Sequence, residues 1–296
     1  MNHPVSGCLR VVILLCAGIV VSCGRQPPEQ SAGAAIHYTL GHPWQSQGYW
    51  FYPTEELSYD TTGLAVVDVA PGRASRATAD GEAYDPAGLT GAHQTLQLPV
   101  ILRVRNLENG REISLRVNDR GPAFPGRLIS VTPYAARLLG MVTGQATRVQ
   151  VSEDEKLSRD LLQHVMDAPR SDLAAAPVMI VQEQSLMPAG AKARPDGPAP
   201  LVQGKRNPGA YEQPPGVVTQ WPANPGQLWV DAGHFSQASY AYRLATRLNG
   251  QVRPEGRGRS AVYAVRVGPF DLPAAADVGL DRARLAGVTG ARIIVE

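Results

Sequence analysis

Cysteine is nearly absent: the chain holds three, at positions 8, 16 and 23, and none after that. A disulfide framework is therefore excluded for everything beyond position 23, and the folded parts must rest on hydrophobic cores of ordinary size. An excess of one charge is missing too, because 28 Lys and Arg against 26 Asp and Glu leave a formal +2, without a basic stripe or an acidic tail. That balance argues against nucleic acid as a partner and against charge-driven attraction to a membrane surface, and it suits a neutral or sugar-like partner. No Cys/His cluster at metal-ligand spacing, no glycine-rich phosphate loop and no Ser-His-Asp nucleophile pattern occurs, so neither a metal nor an organic cofactor is expected. Aromatic residues make up only 6% of the chain and gather in one place, residues 37–53, which reads as an ordered lead-in to whatever follows.

What the chain has in quantity is glycine and proline, 30 and 25 residues, in a length of 296 that exceeds one compact domain. Two modest domains plus unstructured material are the natural division, since a domain takes about 100 to 200 residues. At the amino terminus Arg10 is followed by an apolar run through Val21, too short to span a bilayer and right for the core of an export signal. Val20-Val21-Ser22-Cys23 resembles the bacterial lipobox, which makes residues 1–22 a signal peptide and Cys23 the lipid-attachment residue. Gly24 after the cysteine, in similar lipoproteins, goes with placement on the periplasmic face of the outer membrane.

From 63 to 151, short β-rich runs alternate with turn signals. Ile101-Leu102-Arg103-Val104-Arg105 and Ile113-Ser114-Leu115-Arg116-Val117 show the period of two of half-buried strands, and Asn109-Gly110 between them is a hairpin turn. A single short helix is expected at 133–139, with Thr132 as its N-cap, Pro133 in its first turn and Gly140 as its stop. Mostly β with one helix points to a small barrel. From 152 to 226 composition shifts: an amphipathic helix continues to about Met166, and then Pro, Ala and Gly dominate, as in an extended linker that reaches roughly 3 Å per residue. In residues 227–296, Val230-Asp-Ala-Gly233-His-Phe235 is echoed by Val265-Arg-Val-Gly268-Pro-Phe270. Each copy precedes a helical stretch, and a β-α-β unit twice over gives a small α+β domain with two helices on one face of an antiparallel sheet.

The residues able to do chemistry lie in the barrel region, in three blocks: Thr78-Ala79-Asp80-Gly81-Glu82, then Leu89-Thr90-Gly91-Ala92-His93-Gln94-Thr95-Leu96, then Val117-Asn118-Asp119-Arg120-Gly121-Pro122. Taken singly, each block reads as a turn or a loop histidine. In this order they resemble the rare lipoprotein A (RlpA) family of septal-ring lytic transglycosylases, and the terminal repeat resembles a SPOR domain. The resemblance implies a double-psi β-barrel over 63–151 and a SPOR domain over 227–296, joined by a disordered linker, with residues 23–62 as tether and lead-in. It implies endolytic cleavage of peptide-free glycan strands to 1,6-anhydro ends, and through the SPOR domain an association with the division machinery at the septum. It carries the catalytic positions onto Asp119, Glu82 and His93. Asp119 is assigned the acid/base role, which Glu82 could equally carry, while His93 orients a carboxyl group or the sugar. Arg120 and Asp68 are expected along the substrate groove, with the Arg120 fork tying loop carbonyls or a carboxylate.

Two departures bear on activity. Where the family shows Ala-Ser-Trp-Tyr-Gly on its first strand, this chain has Ala65-Val66-Val67-Asp68-Val69, losing two rings that can stack on sugars, and Ser130 stands where the family has Asp. They keep open a non-catalytic glycan-binding lipoprotein and, more weakly, a hydrolytic glucanase.

Overall fold

The computed structural model describes residues 36–69, 76–167, 214–256 and 261–296. The expected signal peptide, Cys23 and the greater part of the Pro/Ala/Gly-rich linker lie outside the described residues.

The lead-in forms a hairpin, β1 (Trp44–Ser46) and β2 (Tyr49–Phe51), closed by Gln47 and Gly48 at positive φ and stapled by the stacked rings of Trp44 and Phe51, 4.4 Å apart. The Trp44 indole then donates to the Gln94 carbonyl (3.0 Å), so the hairpin is pinned to the barrel.

Six strands make that barrel: β3 (Asp60–Val67), β4 (Thr90–His93), β5 (Val100–Asn106), β6 (Arg111–Arg120), β7 (Ile129–Val131) and β8 (Thr147–Glu153). The circuit runs β4-β7-β3-β8-β5-β6 and closes by β6 pairing with β4. Two of its pairings are parallel, β3 with β7 and β4 with β6, and the others antiparallel. This is a closed double-psi barrel. Strand β8 alternates strictly between buried and half-buried residues, the pattern of a strand with one face on the core. Leu102, Val104, Ile113, Leu115, Val117, Ile129, Val131, Val149 and Val151 fill the interior. Helix α1 (Pro133–Leu139) sits where the sequence put it, with the Thr132 hydroxyl accepting from the Ala135 amide and Gly140 left-handed at its end. Its last carbonyl, that of the buried Leu139, accepts from the side-chain amides of Asn106 and Asn109.

Strand β4 was not foreseen as a strand, and β6 runs three residues past its predicted end, taking Asn118, Asp119 and Arg120 out of a turn and into the sheet. Both faces of this last stretch of β6 are covered, so its burial no longer alternates. After the barrel comes α2 (Glu155–Asp167), held to β5 by the Ser158 hydroxyl on the Ile101 backbone. Strand β9 (Thr219–Gln220) then lies along the start of β6.

The C-terminal domain is an antiparallel sheet ordered β11 (Gln251–Glu255), β12 (Val262–Phe270), β10 (Leu228–Phe235), β13 (Arg292–Val295), with α3 (Ala238–Leu248) and α4 (Pro273–Leu285) packed on it. The repeat is structural: Gly233 and Gly268 occupy equivalent places in β10 and β12, both at positive φ. The composition of the linker allows this domain to stand well away from the barrel. Instead a shared apolar cluster joins Leu64 and Leu107 of the barrel to Leu228, Val230, Leu280, Ile293 and Val295.

Candidate active site

The first block forms a tight turn. The Thr78 amide donates to the Glu82 carbonyl (2.7 Å) and the Gly81 amide to the Thr78 carbonyl (3.0 Å), with Gly81 at φ +96, a conformation that L side chains rarely adopt. The turn docks on the end of β6 through two further bonds: the Asp80 amide donates to the Asn118 carbonyl (3.1 Å) and the Ala79 amide to Asp119 Oδ1 (3.1 Å). Asp119 is thereby buried with Oδ1 held by two backbone amides, Ala79 and its neighbour Arg120 (2.8 Å).

Glu82 reaches back over the same strand. Both of its oxygens lie 2.6 Å from Nη2 of Arg116, and Oε2 also accepts from the Asn118 side chain (2.8 Å). The Arg116 guanidinium is only 2% exposed. A buried cation of this kind needs its carboxylate partner, which fixes Glu82 in place. Neither Arg116 nor Asn118 was singled out from the sequence, where Arg116 read as the solvent-facing member of an alternating strand. Its one available signal was its nearness to the third block.

Asp80, also passed over as a turn residue, is wholly buried. Burial, with the neighbouring Glu82 charge as the lesser cause, pushes its carboxyl up to about 7, against the pull of the Thr78 hydroxyl, the Glu82 amide and Arg116.

His93 is 3% exposed, and its ring is engaged on both sides. Nδ1 accepts from the amides of Thr95 (3.2 Å) and Leu96 (3.1 Å), so the proton of the neutral ring sits on Nε2, which meets the Tyr59 hydroxyl at 3.1 Å. Burial, and secondarily Arg120, push its pKa down to about 3. It is a neutral imidazole that shapes the 93–96 bend, on a strand whose residues Ala92 and His93 pair with Asp119 and Arg120. The Arg120 fork ties loop carbonyls: it donates to Leu40 (2.7 Å), to His93 (3.5 Å) and at short range to Leu96, while burial pushes its pKa down to about 10. Asp68 lies just past β3, its amide on the Val131 carbonyl and its carbonyl accepting from the Tyr84 hydroxyl (3.4 Å). The fold thus gathers the three blocks at one end of β4 and β6, with Asp119 and Glu82 joined through the 78–82 turn. Among the described residues no three His, Cys, Asp or Glu side chains are grouped to hold a metal ion.

The Lytic transglycolase family matches residues 70–152, and the SPOR domain family matches residues 224–293. In this chain a barrel that matches the first family is thus followed by a segment that matches the second. Relatives named endolytic peptidoglycan transglycosylase RlpA include one from Escherichia coli K12, 36% identical over 149 residues, which are 49% of this chain and 40% of that protein. The one from Yersinia pestis is 32% identical over 57% of this chain and 45% of its own length. A Pseudomonas aeruginosa relative is 49% identical over 76 residues, 26% of this chain and 22% of its length. The chain therefore spans less than half the length of the curated relatives it matches.

Proposed function

We propose that the protein is an endolytic lytic transglycosylase that cleaves peptide-free peptidoglycan strands, carried to the septum by its SPOR domain and held by a lipid on Cys23 to the periplasmic face of the outer membrane. The observation that carries the reading is the end of β6, where Asp119 has one carboxylate oxygen held by the amides of Ala79 and Arg120 beside the fixed Glu82–Arg116 pair.

The chemistry asks for one well-held carboxyl group. Asp119, protonated, gives its proton to the glycosidic oxygen as the bond to the muramic C1 breaks. The C6 hydroxyl of the same sugar then closes on C1 and returns its proton to Asp119, leaving a 1,6-anhydro end and consuming no water. Because the nucleophile belongs to the substrate, the second carboxylate of a hydrolase is not required. Glu82, paired to Arg116, supplies fixed negative charge near the developing oxocarbenium ion. His93 and Arg120 hold the loop backbone around the groove.

The test is the purified protein on denuded glycan strands, with products read by mass. Anhydro-ended fragments are expected, and Asp119→Asn should lower their release by about a hundredfold or more while the fold survives. A second reading, a non-catalytic septal glycan binder, is favoured by the absence of the Trp-Tyr pair at Val66-Val67-Asp68 and by Ser130. Binding without cleavage would establish it, and new reducing ends would instead indicate a hydrolase. Mass analysis of the amino terminus checks acylation at Cys23.

A further inference from the structure

Asp80 occupies the inside of the turn that carries Glu82. Oδ1 accepts from the Thr78 hydroxyl (2.7 Å) and from the Glu82 amide (3.3 Å), whereas Oδ2 is buried and has no hydrogen-bond partner. A surface turn needs no such residue, since an exposed Asp or Ser makes the same bonds to the backbone at no desolvation cost. Two charged groups, Glu82 and Arg116, act on this carboxyl, and two more titratable residues lie on the turn around it. Glu82 belongs to its own turn, while Arg116 and Asp119 come from β6; His37, in the lead-in, donates its amide to the Asp80 carbonyl (3.0 Å) and keeps its side chain exposed. Of these, Arg116 is the buried cation, and Glu82 already holds it.

We propose that Asp80 is a positioning residue acting through Glu82: neutral, it leaves Arg116 to Glu82, and ionised, it competes for that guanidinium and opposes the Glu82 charge. The inference rests on the reading of the barrel as a glycan-cleaving site. Loss of the Asp80 proton to solvent sets a second carboxylate beside the buried Arg116 guanidinium, and the lone buried oxygen gains a charge that nothing solvates. The Glu82 pair is then loosened, so the site is in working order with Asp80 protonated. With that carboxyl titrating at about 7, cleavage falls as the pH rises through neutrality.

Two measurements on the full chain decide the matter, and only one of them needs activity. Carbon-detected NMR of the Glu82 carboxyl, followed against pH, should show a second inflection near neutrality that disappears in Asp80→Asn. The pH profile of anhydro-product release should lose its alkaline limb near neutrality in the same variant, the limb moving up by about one pH unit or more, with KM nearly unchanged. A purely structural role would alter stability and leave both readouts in place. Identical Glu82 titrations in the two proteins, or an unmoved alkaline limb, would overturn the inference. If the unmodified protein cleaves nothing, the enzyme reading fails, and the NMR titration still tests the Asp80–Glu82 coupling. Should the Asn amide not be tolerated beside the lone buried oxygen, Asp80→Ser removes the titrating group while keeping an acceptor for the Glu82 amide. Failure of both variants to fold would assign Asp80 to the scaffold and reject the proposal.

Discussion

His93 and Asp80 lie in neighbouring parts of one site and pull its stability in opposite directions with pH. His93, neutral in the fold down to about 3, binds a proton in the unfolded chain from 6.5 downward. Its contribution is therefore present above pH 6.5 and lost as the pH falls toward 3. Asp80, with its carboxyl at about 7 in the fold against 3.8 unfolded, does the reverse: stability is highest below 3.8 and declines as the pH rises to about 7. The two trends offset each other over the shared window, so the unmodified protein should have a flat Tm there and its variants should not. Relative to the unmodified protein, Asp80→Asn gains Tm between pH 4 and 7, while His93→Gln loses least at the acid end. A His93→Gln protein whose Tm deficit stays constant from pH 7 to pH 4 would contradict the neutral, buried imidazole. Removing the ring altogether, in His93→Ala, strands two amides and the Tyr59 hydroxyl, at a cost on the order of 1–3 kcal/mol. At this scale residue type and motif order singled out Glu82, His93 and Asp119 as candidates, and the fold gathers them at one end of β4 and β6. The sequence was silent on Asp80, Arg116, Asn118 and Tyr59, because only the closing of the barrel and the docking of the 78–82 turn bury groups that a linear pattern presents as polar and exposed.

Among the elements, β4 explains most of what sequence pattern missed. Thr90-Gly91-Ala92-His93 has no run of branched or aromatic residues, and its strand character comes from its two neighbours, β6 in parallel and β7 antiparallel. Small residues are what the place demands: a Cβ on Gly91 would stand 2.7 Å from the Ser130 carbonyl oxygen and 3.3 Å from Leu115. Gly91→Ala should push β4 off β7, costing about 1–3 kcal/mol in a thermal or urea unfolding measurement and misaligning Ala92 and His93 against Asp119 and Arg120. An unchanged Tm would mean that β4 is not clamped as described. The elements read correctly are those whose signals are local. The hairpin of β5 and β6 turns through Asn109-Gly110, with Gly110 at φ +79, and α1 is bounded by its own cap and stop. The duplicated Val-x-x-Gly-x-Phe pattern likewise marked β10 and β12 without help from tertiary structure.

Over the whole molecule, linker composition suggested a terminal domain held at a distance, yet the SPOR domain shares a core with the barrel. Residues after 213 do not lead away from the barrel. The Trp221 amide donates to the Gly110 carbonyl and the Asn224 amide to that of Leu107, which brings β10 directly to the barrel surface. There the Thr62 hydroxyl bonds both the amide and the carbonyl of Val295, and Arg127 forms a two-pronged pair with Asp277 at 2.6 and 2.9 Å. Beside that pair Gly126, at φ +81, packs against Leu280 and Ile293, and a Cβ there would stand 2.7 Å from the end of the Leu280 side chain. None of these partners is within reach of a sequence pattern, since barrel and SPOR positions about 150 apart meet only in the assembled fold. The Arg127 loop follows directly from Asp119-Arg120-Gly121-Pro122, and Gln94 holds it by the carbonyls of Pro122 and Phe124. Docking of α4 therefore braces the loop that leaves the candidate site. Asp277→Arg sets two guanidinium groups against each other where a half-buried pair stood, which should undock the SPOR domain without touching its own core. Calorimetry is expected to show one transition for the unmodified protein and two for the variant, with faster hydrogen exchange at 124–128 and 293–295. Anhydro-product release should fall in step as the loop beside Asp119 loosens. A variant that still unfolds in one transition with protected 124–128 amides would show that the Arg127–Asp277 pair does not hold the domains together.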